Sequence, residues 1–591
     1  MTTPARPFPA RPIFPHLRWR WLPVLLAAVL AGCQTLAPQG EAPTAATPGV
    51  PAAVPAPQPA ASPAAAPAVE PLSTRPRLLV MLVVDGLPQR QVLAYRDQLA
   101  PDGLARFLEH GAWYADAHHG QAHTVTAAGH ATVLTGAYPH RSGIVANQWR
   151  DPYTGEPEYC TGDRSAQYIG HATRPLDGTS PANLKVETVG DVLRRTDPRA
   201  KVIGIAGKDR GAILAAGHEG TAYMYMAASG QFASSTWYMP QHPAWVDAFN
   251  AARPAERWFR QEWKPLLPEA AYARSLPDNQ PWYGQRAASL PMPMGAPEDT
   301  APGPAYYSQI LRSPFIDQLT LDFARAAIEG EGLGRDNVPD ILAISLSGHD
   351  YVNHRFSAES RLSHDHLLQL DRQLQAFFAH LDATVGRDQY LAVLTADHGF
   401  MPAPEFTARQ GLVTGRINTT HLLARINAAL ESEYGPGPWV SFSGPTLLIN
   451  RELLVELAED PDEVAETVRA LLLEEPGVAA AYTRRELFSG SRIDAPFFGA
   501  VRRAWHPDVS GDVQFILKPY WMLGATSAVT THGSPYPYDT QVPLMAWGPR
   551  WVQPGRVQRR VEVVDIAPTV ARWLEVPAPA ASEGQPLPPA R

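Results

Sequence analysis

The sequence predicts an α/β protein, with a mostly parallel central sheet sandwiched by helices, an inserted cap and a small α+β subdomain. Three observations point there. Short apolar runs without polar alternation (RLLVMLVVDG, KVIGIAGK, DILAISLSGHD and QYLAVLTADHG) fit strands covered on both faces. Helix-like periodic stretches such as HDHLLQLDRQLQAFFAHLDA lie between them. Acids and imidazoles follow several of the runs, and open α/β sheets bind ligands at the carboxyl ends of their strands.

The chain starts with a segment unlike the rest. Residues 1–33 combine a basic stretch with a short apolar run, LPVLLAAVLAG, that ends at Cys33. That run is short for a bilayer span and fits a cleaved export signal. LAGC (Leu30 to Cys33) resembles a bacterial lipobox, whose cysteine is lipidated, and Gln34 after it resembles the pattern sent on to the outer membrane. The expectation is an exported lipoprotein, anchored in the outer membrane through Cys33 and facing the periplasm or the cell surface. Residues 34–75 are rich in Ala and Pro and read as an extended linker.

Charge and cysteine content narrow the chemistry. The formal net charge is −8, and removing the signal with its four arginines shifts it to −12, so no nucleic-acid binding is expected. Cys33 and Cys160 are the only cysteines. Lipidation of the first leaves no intramolecular disulfide and no thiolate metal site. Cys160 reads as an inert buried thiol.

The globular part is expected over residues 76–580. Asp85 closes the first apolar run, Asp350 follows the third, and Asp397 with His398 closes the fourth. A lone aspartate there is usually a turn former. Three strand ends bearing acids with histidine neighbours are far less easily accidental. In DYVNH, Asp350 and His354 reach one cation if the segment is helical. His532 sits in a Gly/Pro-rich loop suited to presenting a side chain. Nitrogen and oxygen ligands without sulfur suit zinc ahead of manganese and iron, and two such groups suggest a two-metal site.

In VIGIAGKDRGAI, Lys208 and Arg210 appear at the end of an apolar run. On an extended chain they point the same way while Asp209 points opposite, which suits reading a doubly charged phosphate. The bland alternative is a surface ion pair. Residues 237–307, rich in Trp, Tyr and Pro, read as the cap insertion. A second insertion is expected over 405–520, with a helix in DEVAETVRALLLEE and strands in PTLLINR and DVQFILKP.

VVDG, TVTAAGHATVLTGAYPHRSGIVANQW, GHDYVNH, TADHGF and THGSPYPYD occur in the order used by the alkaline phosphatase superfamily. The chain resembles its threonine-nucleophile branch, which holds phosphate-irrepressible bacterial alkaline phosphatases and nucleotide pyrophosphatase/phosphodiesterases. The resemblance implies Thr126 as nucleophile and Asn147 as donor to a phosphate oxygen. It implies one zinc on Asp350, His354 and His532, and another on Asp85, Asp397 and His398 with Thr126 as a further ligand. A Lys-x-Arg pair at this distance from the threonine resembles the monoesterase branch. The implied function is therefore zinc-dependent hydrolysis of small phosphate monoesters through a covalent phospho-threonine; separately, a monomer is expected. The rivals are a phosphodiesterase, nucleotide pyrophosphatase or phosphonate hydrolase using the same site. Further off stand a sulfatase, whose Cys/Ser-x-Pro-x-Arg signature is missing, and a binding lipoprotein without catalysis.

Overall fold

A computed structural model of the chain describes residues 75–284, 288–524 and 528–590. The signal over 1–33 and nearly all of the linker over 34–75 lie outside the described residues. Nine strands make the central sheet: β1 (Leu78–Val84), β2 (Ala112–Tyr114), β3 (Val202–Ala206), β4 (Thr221–Met226), β5 (Gln231–Ala233), β6 (Asp340–Leu346), β7 (Tyr390–Thr395), β8 (Met545–Trp547) and β9 (Gly555–Val557). Their order is β9-β2-β8-β7-β1-β6-β3-β4-β5. The five strands from β7 to β4 are mutually parallel, and β8 and β5 pair antiparallel at either side.

Every residue of β1, β3, β6 and β7 is buried. This explains the unbroken apolar runs, because both faces of these strands are covered. Helices α1 (Thr126–Thr135), α2 (Asp209–Ala216) and α6 (Ile566–Leu574) pack as one group, while α3 (Pro314–Glu331), α4 (Gly348–Phe356) and α5 (Arg361–Leu381) form another. Register then fixes the location of the site. Val84 lies opposite Leu346, Val83 opposite Thr395, and Ser345 opposite Ala206. The carboxyl ends of β1, β3, β6 and β7 are level, so whatever follows them converges on one edge.

Two further regions frame that edge. An antiparallel sheet of Val440–Ser443, Thr446–Ile449, Val513–Leu517 and Val478–Thr483, in that order, packs with helices Thr419–Tyr434 and Pro461–Leu473 around its own apolar cluster. The sheet and the helix Phe498–Ala504 are tied to the loop before α1: Ala122 N–H donates to Ala500 O at 2.9 Å, Arg503 Nη1 donates to Gly120 O at 3.1 Å, and His123 Nε2 meets Gln514 Oε1 at 3.2 Å. Within 237–307, Trp245 packs against Phe323, Trp258 stacks on Phe315, and Trp263 and Tyr283 are buried beside α4. These rings fill core.

Candidate active site

Helix α4 starts directly after β6 and places Asp350 and His354 one turn apart, with His354 Nε2 3.3 Å from Asp350 Oδ1. His532 Nε2 comes to 3.6 Å from the same oxygen. Each ring's other nitrogen meets a backbone carbonyl: His354 Nδ1 to Thr530 O at 3.0 Å and His532 Nδ1 to Thr124 O at 2.8 Å. A carbonyl can only accept, so both Nδ1 atoms carry hydrogen and both Nε2 lone pairs face the cluster. Burial pushes Asp350 up and the Lys208 ammonium beside it pulls it down; the carboxyl is held well below its usual range.

Asp85, Asp397 and His398 form a second set, with His398 Nε2 3.6 Å from Asp85 Oδ1 and 3.4 Å from Asp397 Oδ2. His398 stacks on His532 with ring centroids 3.4 Å apart, so the two sets adjoin. Gly86 makes this approach possible. Its φ of +70° suits glycine, its N–H donates to Asp397 Oδ1 at 3.0 Å, and a Cβ there would lie 3.1 Å from Asp350 Cα. Burial and the neighbouring Asp397 raise Asp85 well above the ordinary carboxylate range.

Both sets fit a divalent cation. Their ligand atoms lie within 4.8 Å of one another in each group. Asp85 Oδ1 and Asp350 Oδ1 are buried and accept no hydrogen bond among the described residues. Buried carboxylate oxygens left this way are costly unless a cation meets them.

Thr126 is the first residue of α1 and is 1% exposed. Val125 occupies the cap position, so the threonine hydroxyl is free of the capping role such a residue often plays. Its Oγ1 lies 3.4 Å from His398 Nε2. His130, one turn on, meets Thr126 O at 2.9 Å, Asp397 Oδ2 at 3.2 Å and Ser345 Oγ at 2.8 Å, and so locks the start of the helix to the second set. Asn147 Oδ1 accepts the Ala127 N–H at 2.8 Å. That bond turns the carboxamide so that its NH₂ is the end left for a ligand beside Thr126.

Lys208 and Arg210 both reach this edge, but by a different geometry from an extended chain. Lys208 is extended, at the cap position of α2, while Asp209 and Arg210 are already helical. The Lys208 ammonium lies between the two candidate ligand sets, 2.7 Å from Asp85 Oδ2 and 2.5 Å from Asp350 Oδ2, over the Tyr351 ring. Burial lowers its pKa, and the two carboxylates more than offset that. Arg210 Nη1 donates to Tyr159 OH at 3.1 Å.

A family model of type I phosphodiesterases / nucleotide pyrophosphatases matches residues 79–535. The chain belongs to that family. Among the relatives of this family member, alkaline phosphatase PafA of Elizabethkingia meningoseptica is 33% identical over 519 residues, 87% of this chain and 94% of that one. A Myroides odoratus protein named calcium-transporting ATPase is 34% identical over 525 residues, again 87% and 94%. A crystal structure of wild-type alkaline phosphatase PafA matches with a TM-score of 0.81 at 32% identity, covering 87% of this chain and 98% of that one. The alkaline-phosphatase-like fold, with its large mostly parallel sheet flanked by helices, is thus shared. Another crystal structure of PafA carries replacements of a threonine, of an asparagine 21 residues later, and of a lysine and an arginine two residues apart.

The other histidines around this phosphodiesterase-family site have protein partners. His118 meets Thr540 Oγ1, His119 meets Ala396 O, and His349 meets Gln91 Oε1 and His366, whose other nitrogen faces Asp317. His364 meets Ser275 Oγ and Gln98 Oε1. Burial pushes the Cys160 thiol up to about 12. Sequence reasoning missed Tyr159 and Tyr351, which flank the two cations. Tyr351 was legible as the neighbour of Asp350, whereas Tyr159, 51 residues from Arg210, carried no local signal.

Proposed function

We propose that this chain is a two-zinc phosphate monoester hydrolase, an alkaline phosphatase acting on small organophosphates through a phospho-threonine on Thr126. One observation carries the reading: two three-ligand sets, the Thr126 hydroxyl and the Lys208 ammonium meet at a single sheet edge. The PafA variant supports it, because its replaced residues have the spacings of Thr126–Asn147 and Lys208–Arg210.

Asp350, His354 and His532 would hold one zinc, and Asp85, Asp397 and His398 the other, with Thr126 beside the second. The ions supply Lewis acidity that lowers the pKa of an attacking oxygen and offsets charge on a leaving one. Thr126 Oγ1 gives up its proton to solvent and attacks phosphorus from the start of α1, the P–O bond to the leaving group breaks with its electron pair going to the leaving oxygen, and phosphothreonine forms. The helix terminus favours the anion there. Asn147 donates its NH₂ to a non-bridging oxygen, and Lys208 and Arg210 match the second charge of a monoester. Water then attacks phosphorus, releases phosphate and restores the threonine. His130 keeps Thr126 and Asp397 in register throughout.

The family includes diesterases, so a diester or phosphonate substrate is the competing reading. ATP hydrolysis, named for the Myroides relative, would be transfer of a terminal phosphoryl group to water by the same residues. We further propose that the enzyme works as a monomer, exported and held on the outer membrane by lipidated Cys33. Cys33→Ser should move it from the membrane fraction to the soluble one. The functional test compares kcat/KM for p-nitrophenyl phosphate and its bis-ester in zinc-loaded wild type and in Lys208→Ala/Arg210→Ala. A wild-type monoester preference that collapses in the double variant supports the reading. A preference for the bis-ester, or a ratio the variant leaves unchanged, sinks it.

A further inference from the structure

Asn147 and Arg210 come from distant parts of the chain, yet one hairpin touches both. Its strands are Gln148–Arg150 and Pro157–Tyr159, and Gln148 pairs with Tyr159 at the open end. Asn147 is the residue just before the first strand. Cys160, just after the second, donates its N–H to Asn147 O at 3.1 Å. On the other side, Tyr159 OH accepts from Arg210 Nη1 at 3.1 Å and donates to Asp209 Oδ1 at 2.6 Å.

The chain of bonds has a defined direction. Burial and the neighbouring Asp209 hold the Tyr159 phenol well above its ordinary range, so it keeps its proton. It gives that proton to a carboxylate and offers its lone pair to a guanidinium, an arrangement in which each bond strengthens the next. Asp209 is itself pinned. Its Oδ2 accepts the Gly178 N–H at 2.9 Å, and its Oδ1 also takes the Arg210 backbone N–H at 2.6 Å. A Cβ on Gly178 would lie 2.3 Å from Thr161 Oγ1 and 2.5 Å from Asp209 Oδ2, so this brace is packed to the limit. Arg210 Nε is buried and has no acceptor among the described residues. A donor is thus left over after the protein has oriented the guanidinium.

We propose that Tyr159 is a positioning residue for substrate choice: through its hydroxyl the hairpin fixes the Arg210 guanidinium relative to Asn147, setting the spacing at which a phosphate dianion is read. This rests on the reading of Arg210 as a contact to the substrate. Tyr159 itself touches no reacting atom. It acts by denying Arg210 its other rotamers, and a guanidinium free to swing would meet the third phosphate oxygen only part of the time.

The test uses the full-length, zinc-loaded chain and four proteins: wild type, Tyr159→Phe, Arg210→Ala and the double variant. For each, kcat/KM is measured with p-nitrophenyl phosphate and its bis-ester, alongside Tm and zinc content. Tyr159→Phe should lower monoester kcat/KM by roughly tenfold, the scale of one hydrogen bond to a charged group. The bis-ester value should stay within about twofold, as should zinc content. In the Arg210→Ala background the same change should do nothing further, because the group it positions is gone.

Three results overturn the proposal. If Arg210→Ala shifts the ratio and Tyr159→Phe does not, the hydroxyl is not the holder. If Tyr159→Phe lowers both substrates equally with a fall in Tm or zinc, its role is structural alone. If Arg210→Ala itself leaves the ratio unchanged, the substrate contact fails, and the positioning claim falls with it.

Discussion

Gly129 offers the sharpest single perturbation of the proposed nucleophile, Thr126. It lies on α1 one turn after Thr126, where the helix meets the backbone of Asp397. A Cβ at this position would sit 2.1 Å from Asp397 O, 2.7 Å from its carbonyl carbon and 2.8 Å from its Cβ. Ordinary contact begins at 3.4 Å, so Gly129→Ala is short of room by 1.3 Å against backbone that cannot rotate away. Either α1 retreats or the Asp397 loop does, and both moves part Thr126 from His398. Overpacking of this kind costs about 1–3 kcal/mol of stability, which a chain of this size tolerates. Displacement of a reacting group by about 1 Å costs on the order of a hundredfold in rate. Gly129→Ala should therefore fold, with Tm lowered by a few degrees and kcat/KM for p-nitrophenyl phosphate down at least a hundredfold. Gly499→Ala is the control, since nothing lies within 4 Å of its added carbon. Turnover within threefold of wild type in Gly129→Ala would refute the claim that α1 is seated directly on the Asp397 loop.

Chelation should abolish turnover and lower Tm, because ions bound only by the folded state stabilise it by about 4 kcal/mol at a thousand times Kd. Zinc should restore both, and undiminished turnover after exhaustive chelation would count against a metal role. Asp539 shapes the loop that carries His532: its carboxylate accepts the Gly533 and Ser534 N–H groups at 3.1 and 2.9 Å, while its carbonyl accepts Gly399 N–H at 2.6 Å. Asp539→Ala should weaken zinc binding by about ten- to a hundredfold, as read by chelator competition. Burial pushes this carboxyl up to about 7. With the folded pKa raised, its stabilisation is complete below the unfolded value near pH 4 and is lost as pH rises through 7, so Asp539→Asn should flatten Tm against pH in that window. Cys160, buried and held near 12, should resist thiol reagents at pH 8 until the chain is unfolded.

The sheet was legible because strands covered on both faces write themselves as apolar runs, and β1, β6 and β7 lie where RLLVMLVVDG, DILAISLSGHD and QYLAVLTADHG stand. The acids and imidazoles just beyond them were legible for the same reason: a level sheet edge turns sequence position into spatial position. Asp350 and His354 needed only a helix to meet, and α4 supplies it. The partners of the cations were not legible. Lys208 lies between Asp85 and Asp350, which stand 123 and 142 residues away, and no local pattern encodes such a pairing. Extended geometry for Lys208 and Arg210 was the natural reading of a strand end, but α2 starts at Asp209, so the two side chains reach the edge from different backbone geometries, Lys208 contacting Asp85 and Asp350 and Arg210 contacting Tyr159. Tyr159 and Asp539 act through hydroxyl and backbone contacts that depend on tertiary packing alone.

The most direct measurement is an acid quench of the zinc-loaded enzyme during steady turnover of p-nitrophenyl phosphate, followed by mass spectrometry of its peptides. The expected result is one phosphoryl group on Thr126, absent from Thr126→Ala, which should also lose turnover. Phosphate trapped on another residue, or a Thr126→Ala variant that keeps near-wild-type kcat/KM, would contradict a threonine nucleophile at this site.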